Sequence, residues 1–398
     1  MTIDRSMPRD ADHAWLAGLR TPCYVYDPQV ALARYRALKA RLGTRLVVSL
    51  KANPDPALLA RCASGFEDGV ELASRGELAL VETRTELPRY LNNPSMDEDF
   101  MRAGLAARCR IVLDNLDAAR RFVPLALESA AHGRPPEAIL LRLNAGALAG
   151  EQARPHWHDH FGMTPNEAAA AVRALAAAGF AAAGLHVFAG PHSFARQDAS
   201  PADLRILPEA LAALARDLAP LNGAPLTLLG LGGGFAETLA PEAMFDGYRA
   251  ALAPLAAAHT LTHEAGRAIF ADAGWFVTRV VAVKHWADRS IAVCDGGLSH
   301  SFLLAQTELV MRRLASPILV RRTPAGVARA VPTLFVGSTC SRADVIGRDE
   351  RRDAPPPQAG DLAVFPRCGA YHRTYSMTHF LSHQPAHVEI RPTGTDPE

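Results

Sequence analysis

A lysine closes the apolar run Val47-Val48-Ser49-Leu50-Lys51, and Ala52-Asn53-Pro54 then opens a new element. An amine held at such a strand end can shed its proton when desolvated and form a Schiff base with a carbonyl. The plainer reading is a surface lysine just past a strand, and the local sequence leaves both open. Much further along, Gly232-Gly233-Gly234 follows the apolar run Leu226 to Leu231 and precedes a helical pattern. Three residues without side chains let backbone N–H groups converge on an anion such as phosphate; a flexible turn is the alternative. His263-Glu264-Ala265-Gly266-Arg267 adds a carboxylate and a guanidinium close together. Arg267 suits the anion and Glu264 can hydrogen-bond a protonated heterocyclic nitrogen, unless the two form a surface ion pair of little value.

The alternation of elements shows how such distant residues can meet. Eight β-like runs, Arg45 to Leu50, Gly69 to Glu71, Arg89 to Asn92, Arg110 to Leu113, Ala138 to Leu143, Ala182 to Phe188, Leu226 to Leu231 and Leu261 to Glu264, alternate with helical stretches such as Ser74 to Arg84, Asn166 to Ala177 and Pro208 to Leu218. This predicts an α/β fold, a parallel (β/α)₈ TIM barrel over residues 28–268, with an open doubly wound sheet as the competing architecture. Barrels of this kind carry their active site at the C-terminal strand ends. Those positions are Lys51, Glu71, Asn92, Asp114, Arg142, His186 with Phe188, Gly232 to Gly234, and Glu264.

After about residue 270 the pattern changes. Trp275 to Trp286, Ser290 to Cys294, Pro317 to Arg322, Ala328 to Val336, Asp361 to Phe365 and Ala386 to Ile390 are β-like, and helical periodicity nearly vanishes. A C-terminal all-β domain, a β-barrel or sandwich, is expected over 269–398. Residues 1–27 belong with it, because Cys23 to Tyr26 has no partner among the barrel runs. Arg348 to Gln358 reads as a charged, Pro-rich loop, and the tail after Arg391 as frayed.

The 398 residues carry 42 Lys plus Arg against 41 Asp plus Glu, a balance that gives no reason to expect nucleic acid or an anionic membrane as partner. A small molecule and a second copy of the chain are the expected partners. The uncharged stretch Ala174 to Ala195 contains Gly179, Gly184, His186, Gly190, Pro191 and His192, and reads as a helix end, a turn and a strand rather than a membrane span. Six singly placed cysteines show no metal-site or redox spacing, so no metal is expected, and free thiols behind a polar start without a signal peptide fit a cytoplasmic protein.

An amine, a phosphate cradle and a carboxylate are together what pyridoxal 5′-phosphate requires. In this light the chain resembles the fold-type III pyridoxal-phosphate enzymes, the alanine-racemase-like barrels, and among them the ornithine/diaminopimelate decarboxylase branch. The resemblance runs from about Thr21 to Ile390 on ordered motifs: Val48-Ser49-Leu50-Lys51-Ala52-Asn53, Glu71-Leu72-Ala73-Ser74-Arg75-Gly76-Glu77, Leu231-Gly232-Gly233-Gly234-Phe235, Glu264-Ala265-Gly266-Arg267, Cys340-Ser341-Arg342-Ala343-Asp344 and Cys368-Gly369-Ala370-Tyr371. It implies that Lys51 is the Schiff-base lysine and that Glu264 contacts the pyridine nitrogen. Gly232, Gly233, Gly234, Gly266, Arg267 and Tyr371 would bind the cofactor, most of them at its phosphate. Cys340 would protonate Cα after carboxylate loss, with Asp344, Arg142 and His186 near the substrate. It further implies a homodimer with two shared sites.

The departures are informative. Phe188 stands near the family's ring-stacking histidine and can stack as well. Pro191 replaces a serine that commonly donates to the phosphate, and Met96 replaces a lysine. Ser341 replaces the acidic residue that grips the distal amine of ornithine or diaminopimelate, with Arg342 beside it. Arginine recognises carboxylates, so a substrate with a distal carboxylate is expected. Phe380-Leu381-Ser382-His383 is similar to a subgroup of siderophore-biosynthesis decarboxylases, which suggests a citrate-linked diamino acid, of L or D configuration. The alternatives are a diaminopimelate or other diamino-acid decarboxylase, an amino-acid racemase of the same fold, and a noncatalytic cofactor-binding protein. Racemases generally place an arginine at the pyridine nitrogen, where this chain has Glu264. The noncatalytic carriers consist of the barrel alone.

Overall fold

In the computed structural model, residues 10–194, 200–305, 314–322, 331–351 and 355–392 are described. Strand β1 (Cys23–Tyr26) leads into the helix Pro28–Leu42. Strands then alternate with helices: β2 (Arg45–Ser49), β3 (Val70–Leu72), β4 (Arg89–Asn92), β5 (Arg110–Leu113), β6 (Ala138–Leu143), β7 (Gly184–Val187), β8 (Leu228–Gly230) and β9 (Thr260–Ala265). These eight close into a barrel of parallel neighbours, β9 returning to β2, which decides against the open sheet. Five successive residues of β6 are buried, as a parallel strand covered on both faces must be.

The helices explain themselves locally. Pro165–Ala177 starts on a capping box in which Thr164 and Glu167 satisfy each other's backbone N–H groups. Pro201–Asn222 is longer than the Pro208–Leu218 stretch read from the sequence. Pro201 sits in its first turn, where a missing N–H is harmless, and Pro208 and Pro220 are carried inside it. Leu207, Leu211, Ala215 and Leu218 form its buried face. Parallel register then sets Ser49 level with Glu71, Val47 with Glu264, and Arg142 with His186.

The chain divides into two compact units, Leu32–Ile269 and a second drawn from Met1–Ala31 with Phe270–Glu398. The second holds β1 and seven later strands: β10 (Gly274–His285), β11 (Ser290–Cys294), β12 (Ile318–Val320), β13 (Thr333–Val336), β14 (Val345–Asp349), β15 (Leu362–Phe365) and β16 (His387–Ile390). Their order is β12-β15-β10-β11-β13-β14; β1 lies antiparallel to β10 and parallel to β16. Leu16, Cys23, Val25, Trp275, Val277 and Val364 share its core. Beside it Arg391 pairs with Asp12 (2.5 Å) and Asp27 (3.1 Å), its guanidinium 4.8 Å from the Trp275 ring.

The second unit is mostly sheet, as expected, with the short helices Asp10–Gly18 and Phe302–Ala305 added to it. Two expectations need correction. Strand β14 is not expected from the sequence, and Arg348 and Asp349 belong to it rather than to a loop. Of the run Ala328 to Val336, residues 328–330 lie outside the described residues and the strand occupies Thr333–Val336. The tail from 393 onward and Ala195 also lie outside them. No helix among the described residues is long and apolar enough to cross a membrane.

Candidate active site

Lys51 lies two residues beyond β2, in the 3₁₀ turn Leu50–Ala52, at the edge where barrel strands end. Its Nζ is 2.9 Å from both carboxylate oxygens of Glu71, which is 1% exposed on β3. Ser49 donates its hydroxyl to the same carboxylate. This corrects the desolvation argument, because the Lys51 side chain is 44% exposed. The ion pair with Glu71 holds its amine in place.

Consecutive residues of β9 face opposite ways. His263 points toward the helix Glu242–Ala256, with Thr44 Oγ1 2.8 Å from Nδ1 and the Tyr248 hydroxyl 3.0 Å from Nε2. Burial pushes its imidazole down to about 3, so it is neutral near pH 7. Glu264 points to His186, whose Nε2 lies 3.0 Å from Oε1. Burial pushes the Glu264 carboxyl up. The charge and hydrogen bond of His186, helped by Lys51 and Arg142, outweigh it and bring the group down to about 2.

Arg142, buried on β6, reaches Asp114 at 3.2 Å and Asn92 at 3.5 Å, with its guanidinium 4.3 Å from the Phe161 ring. Arg142 and His186 are expected from the sequence to contact substrate. Here the former is engaged by Asp114 and the latter by Glu264, while Arg142 Nε and His186 Nδ1 are buried with no hydrogen-bond partner among the described residues.

The glycine turn is shaped by contact. Gly232 (φ +59°) and Gly234 (φ +103°) take left-handed backbone, and a Cβ on either would strike a carbonyl oxygen, of Val187 or Gly190, at 2.6 Å. Phe188, just past β7, has a ring atom 3.2 Å from the same Cβ position on Gly232. A Cβ on Gly266 would lie 2.5 Å from the Cβ of Ala52, so the turn after β9 packs on the turn that carries Lys51. Gly233 separates the two strained glycines, and Arg267 begins the short helix after β9. A backbone cradle too tight for side chains, an amine and a carboxylate kept ionised fit a phosphate-bearing pyridine aldehyde. The turn and Arg267 would hold its phosphate, Glu264 its ring nitrogen and Lys51 its aldehyde carbon.

In the second unit, Cys340 is exposed whereas the other five cysteines are buried. It sits between β13 and β14 on a loop that Asp344 pins from beneath. The Asp344 carboxylate, 2% exposed, accepts from Leu298 N at 2.6 Å and from Thr339 N and Oγ1 at 2.9 and 2.7 Å. Its oxygens are therefore engaged by the loop and by Leu298. The Ser341 hydroxyl accepts from Ala343 N at 3.2 Å, and Arg342 is exposed. Tyr371 takes a left-handed conformation (φ +68°), and its carbonyl accepts from Tyr375 N at 2.9 Å.

The model of a family described as "Pyridoxal-dependent decarboxylase, C-terminal sheet domain" matches residues 23–369. The chain belongs to the pyridoxal-dependent decarboxylases. It is 27% identical to a diaminopimelate decarboxylase of Deinococcus radiodurans over 100% of this chain and 95% of that one. A shorter stretch, 34% of each chain, is 31% identical to the 2-[(L-alanin-3-ylcarbamoyl)methyl]-2-hydroxybutanedioate decarboxylase of Staphylococcus aureus. The fold is shared with the lysine/ornithine decarboxylase of Vibrio vulnificus, at TM-score 0.77 and 22% identity over 97% of this chain and 99% of that one.

The chain is thus a carboxy-lyase whose cofactor is pyridoxal 5′-phosphate. Two further groups, Ser49 at the site and His263 behind it, do not stand out in the sequence. Ser49 is legible in principle, since parallel register sets it beside Glu71 two residues before Lys51. His263 shows in the sequence only as the neighbour of Glu264. Its burial depends on Thr44 and Tyr248, and no local pattern connects them.

Proposed function

We propose that this decarboxylase removes the α-carboxylate of an amino acid that carries a second carboxylate at its far end, with diaminopimelate the first candidate. The observation that carries the distal-carboxylate reading is exposed Arg342 in the Cys340-Ser341-Arg342 loop; Ser341 leaves a distal amine without its acidic partner and so gives diaminopimelate no support of its own. Full-length likeness to diaminopimelate decarboxylase favours that substrate over the citrate-linked diamino acid preferred from the sequence. The citrate-linked compound is the second reading, supported by the local likeness to the Staphylococcus aureus enzyme.

When bound, the cofactor supplies an electron sink for the pair released at Cα. Glu264, held ionised by His186, keeps the ring nitrogen's proton in place and so deepens that sink. Glu71 holds the Lys51 amine in place, and Phe188, packed against Gly232, would be the residue that covers the cofactor ring. Cys340, brought in by a second copy of the chain in a homodimer, returns a proton to Cα, and Tyr371 adds a donor for the phosphate. Arg342 receives the distal carboxylate.

The test is a CO₂-release assay with meso-diaminopimelate, a citrate-linked diaminopropionate, ornithine and lysine. The expected order places diaminopimelate first and ornithine at least about a hundredfold lower in kcat/KM, the scale set by leaving a charged site group without its partner. Arg342→Ala should raise KM for diaminopimelate about tenfold with kcat little changed. Faster turnover of ornithine or lysine overturns the distal-carboxylate reading.

A further inference from the structure

The turn after β7 departs from the family pattern at Pro191, which cannot donate a hydroxyl to the cofactor phosphate. Two residues later the chain has Ser193. Gly190 (φ +88°) and His192 (φ +58°) both take left-handed backbone, and the bend lays this stretch against the glycine turn. A Cβ on Gly234 would meet Ser193 Oγ at 2.1 Å and Gly190 O at 2.6 Å. Ser193 is only 4% exposed, yet its hydroxyl has no hydrogen-bond partner among the described residues. A buried hydroxyl left without a partner is costly, and its retention points to a group that completes it.

Ser193 and Gly233 both line a cavity of about 240 Å³ in the barrel unit, whose other walls are largely apolar. Trp157 Nε1, in the same wall, is also buried without a partner and is likewise a donor. Asp203 there is already engaged by Arg154 and Ser200. Unpartnered donors beside a backbone N–H cradle suit an anion.

We propose that Ser193 replaces the serine lost at Pro191: its hydroxyl donates to the phosphate of pyridoxal 5′-phosphate held by Gly232 to Gly234. This rests on the cofactor site placed at that turn, and the two can fail separately. Apoprotein is titrated with pyridoxal 5′-phosphate and with pyridoxal, which lacks the phosphate, and binding is followed by absorbance. Ser193→Ala should weaken the phosphorylated form by about tenfold to a hundredfold, the effect of one hydrogen bond to a charged group, and leave pyridoxal unchanged. Pro191→Ser added to Ser193→Ala should recover most of the loss. If Ser193→Ala does not fold, Ser193→Cys, a weak donor of similar size, is read in the same way. Unchanged affinity for the phosphorylated form, or equal weakening of both ligands, overturns the role of Ser193. Wild-type protein that prefers neither ligand overturns the phosphate turn itself.

Discussion

The strand ends of the barrel and the Cys340 loop of the sheet unit handle charge in opposite ways. At the strand ends, polar and charged groups are engaged with one another: Glu71 with Lys51, Glu264 with His186, Asp114 with Arg142. On the loop between β13 and β14, Cys340 and Arg342 stand exposed, with the buried carboxylate of Asp344 underneath them. A buried, mutually bonded network resists reorganisation, which suits groups that must keep one protonation state through every turnover. An exposed group on an anchored loop suits contact with a molecule that comes and goes. The difference teaches that the barrel's residues are sensitive to loss of charge, and the loop's to loss of its anchor.

The largest break in this contrast is expected from Lys51→Ala, which should abolish the cofactor's visible absorbance band and lower activity on the order of 10⁴-fold. A surviving band would remove Lys51 as the attachment point. Glu264→Gln keeps shape but removes the negative charge. It should retain cofactor and lower kcat by roughly 10²- to 10³-fold, as loss of one preorganised electrostatic partner does, and full activity would detach Glu264 from the ring nitrogen.

On the sheet side, Asp344→Ala should cost roughly 2–4 kcal/mol in urea unfolding, because three donors lose a buried carboxylate. Arg342→Ala should stay within about 0.5 kcal/mol. Equal losses would erase the distinction between anchor and presented residue.

A smaller effect concerns His263. Unfolded, it binds a proton below its ordinary 6.5, but folded only near 3, so its contribution is complete above 6.5 and declines as pH falls toward 3. By pH 5 the loss is on the order of 2 kcal/mol. Melting curves between pH 7 and 5 should fall less steeply for His263→Gln, although that variant starts lower, and parallel slopes would show that His263 is not the group responsible.

Much of the barrel is legible in the sequence because its strands are short apolar runs punctuated by turn residues, and because active sites of such barrels collect at strand ends. Those two regularities suffice to bring Lys51, Glu264 and the glycine turn together. The sheet unit is less legible for physical reasons. Val345-Ile346-Gly347-Arg348-Asp349 interrupts its apolar character with glycine and charge, yet pairs with β13 because tertiary context overrides weak propensity. The roles of Arg142, His186 and Asp344 escape the sequence for a different reason. A polar residue at a strand end or in a motif reads the same whether its partner is a ligand or another side chain, and that depends on packing at long sequence separation. Ser193 is hidden by its neighbour, since the missing donor at Pro191 draws notice and the bend that brings Ser193 to Gly234 leaves no mark in composition.

The position of β1 bears on how the molecule is made. It is sandwiched between β10 and β16, so a strand synthesised within the first 26 residues waits for partners at 274 and again at 387. The barrel, continuous from 32 to 269, can close before the partners of β1 at 274 and 387 have been made. Until then β1, buried throughout in the finished fold, is an open apolar edge capable of joining a neighbouring chain.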